Sequence, residues 1–185
     1  FFEGDELQIK SPSEAIKHGI AYLPDDRQAK GLFLNQDVGV NLASASLSED
    51  AYLGFLNVKK QARKLRQIVK DFGVETAGID QEIRNLSGGN KQKSILAKCL
   101  KPEPRVVLMN EPTRGIDVGA KAEIYGLMKD LTESSNVGII MVSSELPELI
   151  DISDKIVVLH EGHQNGIFTH EEADKETLMA AMTGG

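Results

Sequence analysis

Cysteine is nearly missing from this sequence. Cys99 is the only one in 185 residues, so no internal disulfide can form, a reducing compartment is compatible with the chain, and the thiol reads as a small buried hydrophobe. Positive charge is in deficit, with 21 Lys and Arg against 28 Asp and Glu and a net of -7. That balance opposes general affinity for a polyanionic backbone, and nucleic acid is not an expected partner. Long apolar runs are missing too. No uninterrupted stretch approaches the roughly 20 residues needed to span a bilayer, and Phe1-Phe2-Glu3-Gly4 does not resemble a cleavable signal. Any membrane contact is therefore expected through a partner. There is no repeat and no low-complexity linker, and 41% apolar residues supply one sizeable core, so one domain is the default.

What is present is a regular alternation of elements. Gly19-Ile20-Ala21-Tyr22-Leu23-Pro24 reads as a short buried strand stopped by proline and followed by a charged turn over residues 25–31. In residues 58–72, apolar Ala62, Leu65, Ile68, Val69 and Phe72 recur at helical spacing, with Lys59, Lys60, Arg63, Lys64, Arg66 and Lys70 on the other face. That basic face could dock on acidic lipid or protein, or simply be solvated. After Leu86, apolar strands are expected over residues 106–109, 137–142 and 155–159, with helices over 87–100, 118–133 and 145–152. Strands that are apolar along their length and separated by helices imply a parallel sheet covered on both faces, so the class is α/β. Residues 163–168 and 171–182 read as an edge strand and a terminal amphipathic helix.

Four places carry polar residues where such a sheet exposes chemistry. In Leu86-Ser87-Gly88-Gly89-Asn90, Ser87 is a good helix N-cap. Two glycines in the first turn leave N–H groups uncovered, a setting that attracts a phosphate, although an ordinary capped helix reads the same way. The strand Val106-Val107-Leu108-Met109-Asn110 runs into Glu111. Ligands of open α/β sheets sit beyond the carboxyl ends of strands, so Glu111 fits a general base or water positioner, or a plain surface glutamate. Asp117, after Arg114-Gly115-Ile116, could cap the helix from Val118. Ser144, at the end of the third strand, could contact a phosphate or cap the next helix. The histidines at 18, 160, 163 and 170 suggest surface positions and no metal site.

The order of these elements is more specific than any one of them. Ser87-Gly88-Gly89, then an apolar strand ending in Glu111-Pro112-Thr113, then Asp117, then a strand ending near Ser144, resembles an ATP-binding cassette. Ile20 to Arg27, Glu111 to Lys121 and Ser143 to Leu149 look like the second cassette of the fused ATP-binding subunits of ribose- and galactose-type monosaccharide importers. The resemblance covers essentially the whole chain, and Met182-Thr183-Gly184-Gly185 looks like that family's natural end. It implies a P-loop NTPase-like core formed by residues 1–31 and 87–185 and a helical subdomain at 32–86 facing a transmembrane permease. Residues Ser87, Gly88, Gly89 and Asn90 would contact the γ-phosphate of ATP held by an opposing cassette, with Glu111 as the catalytic glutamate. Asp117 would lie at the dimer seam, and Asp25 where nucleotide and membrane partner are sensed. The implied cofactors are ATP and Mg2+, the implied partners a second cassette, the permease and, indirectly, a sugar-binding protein. The implied place is peripheral, on the cytoplasmic side of the cell membrane.

The match has gaps. No G-x-x-x-x-G-K-S/T phosphate loop occurs in the 185 residues. The loop's family position lies before the region resembling Phe1 to Glu6, so a truncated chain or gene fragment is expected, one that binds ATP poorly alone. Asn110 stands where the family usually has an aspartate of the magnesium shell, which should weaken metal binding to a water-mediated contact. Ser144 stands for a usual histidine and brings no cationic character. Asp25 replaces a glutamine. The sugar-importer cassettes share the serine and favour an acid at the last position, so only Asn110 departs from the subfamily.

Overall fold

Local signals and long-range pairing together shape a computed structural model that describes residues 2, 4, 6–47, 51–52 and 55–184, without the side chains of 51, 52 and 55. Residues 1, 3 and 185, used in reading the two ends, lie outside it. Two units emerge, Phe1–Val142 and Ser143–Gly185.

The first unit begins with α1 (Pro12–Lys17), capped by the Ser11 hydroxyl, and β1 (Ile20–Leu23). A π-helical turn (Arg27–Gly31) and α2 (Val38–Ala43) follow, then a short hairpin of β2 (Ala51–Tyr52) and β3 (Phe55–Leu56). Next come α3 (Val58–Asp71), a 3-10 turn (Ile83–Asn85) and α4 (Gly88–Leu100). The last elements are β4 (Val106–Asn110), α5 (Val118–Ser135) and β5 (Gly138–Val142). Strands β1, β4 and β5 form one parallel sheet with β4 in the middle, Tyr22 opposite Leu108 and Leu108 opposite Ile140.

Helix α4 fills the core behind this sheet. Ile95, Leu96 and Ala97 are buried against a cluster that includes Leu23, Val107, Met109 and Ile124, and each such large side chain contributes about 1.5–3 kcal/mol by leaving water. Two of its buried polar side chains have partners on the chain: Lys93 Nζ donates to Gly73 O at 2.5 Å and Glu123 Oε2 at 2.9 Å, and Ser94 Oγ to Asn90 O at 2.8 Å. Lys101, just beyond α4, donates to the Ser46 hydroxyl. Helix α3 packs one face on this core, with Leu65 buried in it and Ala62, Ile68, Val69 and Phe72 against it, and leaves Lys59, Lys60, Arg63, Lys64, Arg66 and Lys70 exposed.

Two expectations change. The sheet is covered on one face: Ala21, Leu23, Val107 and Met109 are buried, while Tyr22, Ile140 and Val142 on the opposite face are exposed. Nothing among the described residues closes over those three side chains. Residues 155–159 are not a parallel strand of this sheet. In the second unit β6 (Lys155–His160) pairs antiparallel with β7 (His163–Thr169). Glu161 and Gly162 make the connection with φ +47 and +81, the left-handed pair that a two-residue turn matching strand twist requires. Around this hairpin stand α6 (Leu146–Ile152) and α7 (Lys175–Thr183), the latter capped by Asp174. Their small core joins Ile156, Val158, Ala173, Leu178 and Ala181.

Candidate functional site

The carboxyl end of β4 is one of four places among the described residues where a residue other than glycine takes a positive φ, with Glu103, Asn136 and Glu161 the others. Asn110, half-buried, stays in register with Val142. Glu111 then enters the left-handed region at φ +51, with its N–H donating to Val142 O at 2.8 Å and its carbonyl accepting from Arg114 N at 3.2 Å. An L-residue pays about 1–2 kcal/mol for that conformation, and glycine would take the place without strain. The loop continues through buried Thr113 to Asp117, whose carboxylate accepts from Ala120 N at 2.9 Å. Asp117 is therefore the N-cap of α5.

The start of α4 is equally well defined. Ser87 is exposed, and its hydroxyl accepts from Asn90 N at 3.3 Å and from Asn90 Nδ2 at 3.0 Å. Asn90 turns inward, only 7% exposed, and its Oδ1 accepts from Glu75 N at 2.9 Å. Its amide thus holds residue 75 to the helix, and the exposed Ser87 hydroxyl and the first-turn N–H groups are what the helix start offers outward. The glycines have a packing reason. A Cβ on Gly89 would stand 2.7 Å from the Cβ of Ala120, so α4 and α5 approach more closely than an alanine would allow. On Gly88 it would stand 3.7 Å from Gly115 O and 3.9 Å from Ile116 Cγ2, so the helix start and the loop after Glu111 are neighbours.

Arg27 joins these pieces, and sequence reading gave it no role. Its Nη1 donates to Arg114 O at 2.7 Å and its Nη2 to Gly115 O at 3.1 Å. Next to it, Asp26 caps the π-helical turn by accepting from Gln28 N and Ala29 N. Asp25 pairs with Lys30 at 2.8 Å. That hydrogen bond from the ammonium holds the Asp25 carboxyl below its usual range, helped by the Asp26 backbone N–H and the ammonium charge. Residues 25–29 line an open recess of about 730 Å3 together with Leu34, Arg114 and Gly115.

Ser144 belongs to the second unit. It is exposed, but it does not cap α6: Glu145 holds the cap position, and its N–H meets Ser143 Oγ at 3.1 Å. The Ser143 hydroxyl also donates to the buried carboxylate of Glu148. The neighbouring serine, one residue earlier, therefore does the structural work that the sequence left open for Ser144.

A family model described as ABC transporter matches residues 1–114. The chain belongs to the ABC transporter family. Among curated relatives of this family, the xylose import ATP-binding protein XylG of Thermoanaerobacter pseudethanolicus is 46% identical over 185 residues, covering 100% of this chain and 36% of the relative. The ribose import ATP-binding protein RbsA of Bacillus subtilis is 43% identical over 182 residues, with 98% and 37% covered. The chain thus spans little more than a third of their length. Among solved structures, a dimeric ATP-binding cassette in a post-hydrolysis state, bound to ADP and Pi, superposes with a TM-score of 0.72 over 88% of this chain and 68% of that one. At 17% identity it shows the ABC cassette fold and no more.

Whether ABC ligands fit can be asked of the residues themselves. What the start of α4 offers a phosphate is the exposed Ser87 hydroxyl and half-buried Gly88, while Gly89 is buried against Ala120. Among the described residues no group of three His, Cys, Asp or Glu side chains could hold a metal, and Asn110 offers a neutral amide where a carboxylate would suit a divalent cation better. Cys99 takes no part. Its Sγ donates to Tyr22 O at 3.4 Å, and burial pushes the thiol up to about 11. No helix of the described residues is long and apolar enough to cross a membrane.

Proposed function

We propose that this chain is the motor portion of an ATP-binding subunit that energises a monosaccharide importer. It pairs with a second cassette, clamps ATP at the seam and passes closure to a transmembrane permease, peripheral on the cytoplasmic side of the cell membrane. A sugar-binding protein enters only through the permease. Ser87 and the N–H groups of Gly88 and Gly89 meet the γ-phosphate of ATP held by the opposite cassette, with Asn90 bracing that turn. Glu111 orients the attacking water and takes its proton. Asp117 stands at the seam, Asp25 near the nucleotide and the permease, and Ser144 by the phosphate. Residues 32–86 face the permease, and Asn110 touches the magnesium shell only through water.

The observation that carries this reading is Glu111, held in a left-handed conformation at the end of the central strand, where attack on a terminal phosphate needs a carboxylate. The xylose and ribose import relatives, aligned along nearly the whole chain, supply the transport half of the reading. The phosphate loop is not in these residues, so the experiment uses the full-length protein with its permease in vesicles. Glu111→Gln is expected to lower ATP hydrolysis by roughly 10²- to 10⁴-fold; undiminished hydrolysis would remove Glu111 as the base.

Asn110 favours a second reading, in which this cassette hydrolyses nothing and lends Ser87, Gly88 and Gly89 to ATP on its partner. Ser87→Arg would then abolish hydrolysis while Glu111→Gln leaves it intact. Loss of activity in both variants selects the first reading.

A further inference from the structure

Arg27 connects three stretches that are far apart in sequence. Its guanidinium donates to the carbonyls of Arg114 and Gly115, 87 and 88 positions along the chain. A side chain on Gly88 would begin 3.6 Å from its Nη2, which places the start of α4 at the same point. The base from which the guanidinium reaches is anchored. The turn Arg27–Gly31 is capped by Asp26 and stapled by the Asp25–Lys30 pair, and Lys98 of α4 donates to Gly31 O at 3.0 Å. A Cβ on Gly31 would fall on Ile95 Cδ1, so the turn lies directly against α4.

The other end of the connection has few bonds of its own: Arg114 N donates to Glu111 O at 3.2 Å and Ile116 N to Thr113 O at 3.4 Å. Arg114 and Gly115 are exposed loop residues, and Gly115 sits at φ +67, a conformation that glycine enters and leaves freely. A planar guanidinium that makes two N–H···O bonds fixes two successive peptide planes at once, which a point-charge ammonium does not do. Arg27 Nε has no acceptor among the described residues, so those two carbonyls hold the guanidinium in place.

We propose that Arg27 is a positioning residue for the phosphate chemistry: by gripping the Arg114 and Gly115 carbonyls from a turn fixed on α4, it sets the loop between Glu111 and Asp117 relative to Ser87, Gly88 and Gly89. The loop and the start of α4 then move as one body. The role in hydrolysis rests on the ATPase reading above, whereas the grip on the loop stands on geometry alone, so the test reads the two separately.

In the full-length protein with its permease, Arg27→Ala and Arg27→Lys are compared with wild type by ATPase kinetics, thermal melting and amide hydrogen exchange. The expected result is a fall in kcat of about 10- to 100-fold, the scale of a misplaced catalytic group, with the KM for ATP changed by less than about two-fold. Exchange at Ile116, whose N–H donates to Thr113 O at 3.4 Å, should accelerate about ten-fold or more, and Arg27→Lys should resemble Arg27→Ala more than wild type. Unchanged exchange in both variants overturns the proposal, as does an Arg27→Lys protein equal to wild type, since a lone positive charge would then suffice. A raised KM with kcat intact also overturns it, because Arg27 would then be binding nucleotide. If Arg27→Ala fails to fold, Arg27→Lys carries the comparison. A wild-type protein that hydrolyses no ATP sinks the ATPase reading, and the exchange result still decides whether Arg27 holds the loop.

Discussion

The two faces of the parallel sheet are made by the same apolar strands and meet opposite surroundings. On one, Leu23, Val107 and Met109 are at most 1% exposed; on the other, Tyr22, Ile140 and Val142 are 55%, 60% and 61% exposed. Strand composition alone says that both faces want cover, and the difference shows how much of that demand the described residues meet. The covered face carries the energy of this fold. The bare face is an apolar patch among the described residues of a chain that spans little more than a third of its relatives' length, and as it stands it is of the kind that makes surfaces associate.

The largest effect should fall on the covered face. Met109→Ala is expected to cost about 2–5 kcal/mol, the loss of a buried side chain plus the cavity it leaves. Ile140→Thr, across the sheet on the neighbouring strand, should change stability by no more than about 0.5 kcal/mol, as exposed substitutions do, and should reduce self-association. Chemical denaturation measures the first quantity and light scattering over a concentration series the second. Similar costs at both positions would mean that the two faces are equally covered in solution.

The same contrast explains what was legible in the sequence. The strands expected at 106–109 and 137–142 appear, within a residue, as Val106–Asn110 and Gly138–Val142, and they could be read because apolar runs bounded by turns are local. So could the caps by Ser87 and Asp117, because an N-cap needs only its own next three residues. The bare face could not be read, because a strand apolar on both sides announces a demand for cover and not its supply. Residues 155–159 read as one more parallel strand because they too are apolar; the counter-signal is Glu161-Gly162, a two-residue loop with glycine between two strand-like runs. The grip of Arg27 on carbonyls 87 and 88 residues away has no local signature at all. Capping chemistry at the candidate site was thus visible, and the long-range contact beside it was not.

Behind the covered face, Gly89→Ala should be the next most damaging change. The new Cβ would stand 2.7 Å from that of Ala120, forcing α4 and α5 apart at a cost of about 1–3 kcal/mol. Ala120→Gly in the same protein should recover most of the loss, and a double-mutant cycle from denaturation curves reads that coupling. No recovery would mean that the glycine serves something other than the approach of the two helices.

Glu111 should behave in the opposite sense. Glycine tolerates φ +51 where an L side chain is strained, so Glu111→Gly is expected to leave the fold as stable as wild type or up to about 1 kcal/mol more stable, while removing the carboxylate proposed as the base. A stability gain paired with loss of activity is what a strained functional residue produces. Clear destabilisation in a thermal melt would instead make Glu111 a structural residue of the turn.

The smallest effect belongs to the solvent-facing Asp25–Lys30 pair just beyond β1. The folded-state carboxyl lies below its usual 3.8, chiefly through the hydrogen bond from Lys30, and the same bond raises the Lys30 ammonium above its usual 10.5. A depressed acid stabilises the fold above its unfolded value, and that contribution disappears as pH falls through the folded one; a raised base does so below its unfolded value and loses it as pH rises through the folded one. Between those limits the pair is intact. Asp25→Asn should therefore lower the melting temperature slightly near pH 6 or so, and the gap should close as the pH drops below 3.8. Added salt at pH 6 should narrow it too, since exposed charges are screened within roughly 10 Å at 0.1 M ionic strength. A gap that persists in acid would locate the stabilising contact in the Asp25 side chain's shape and not its charge.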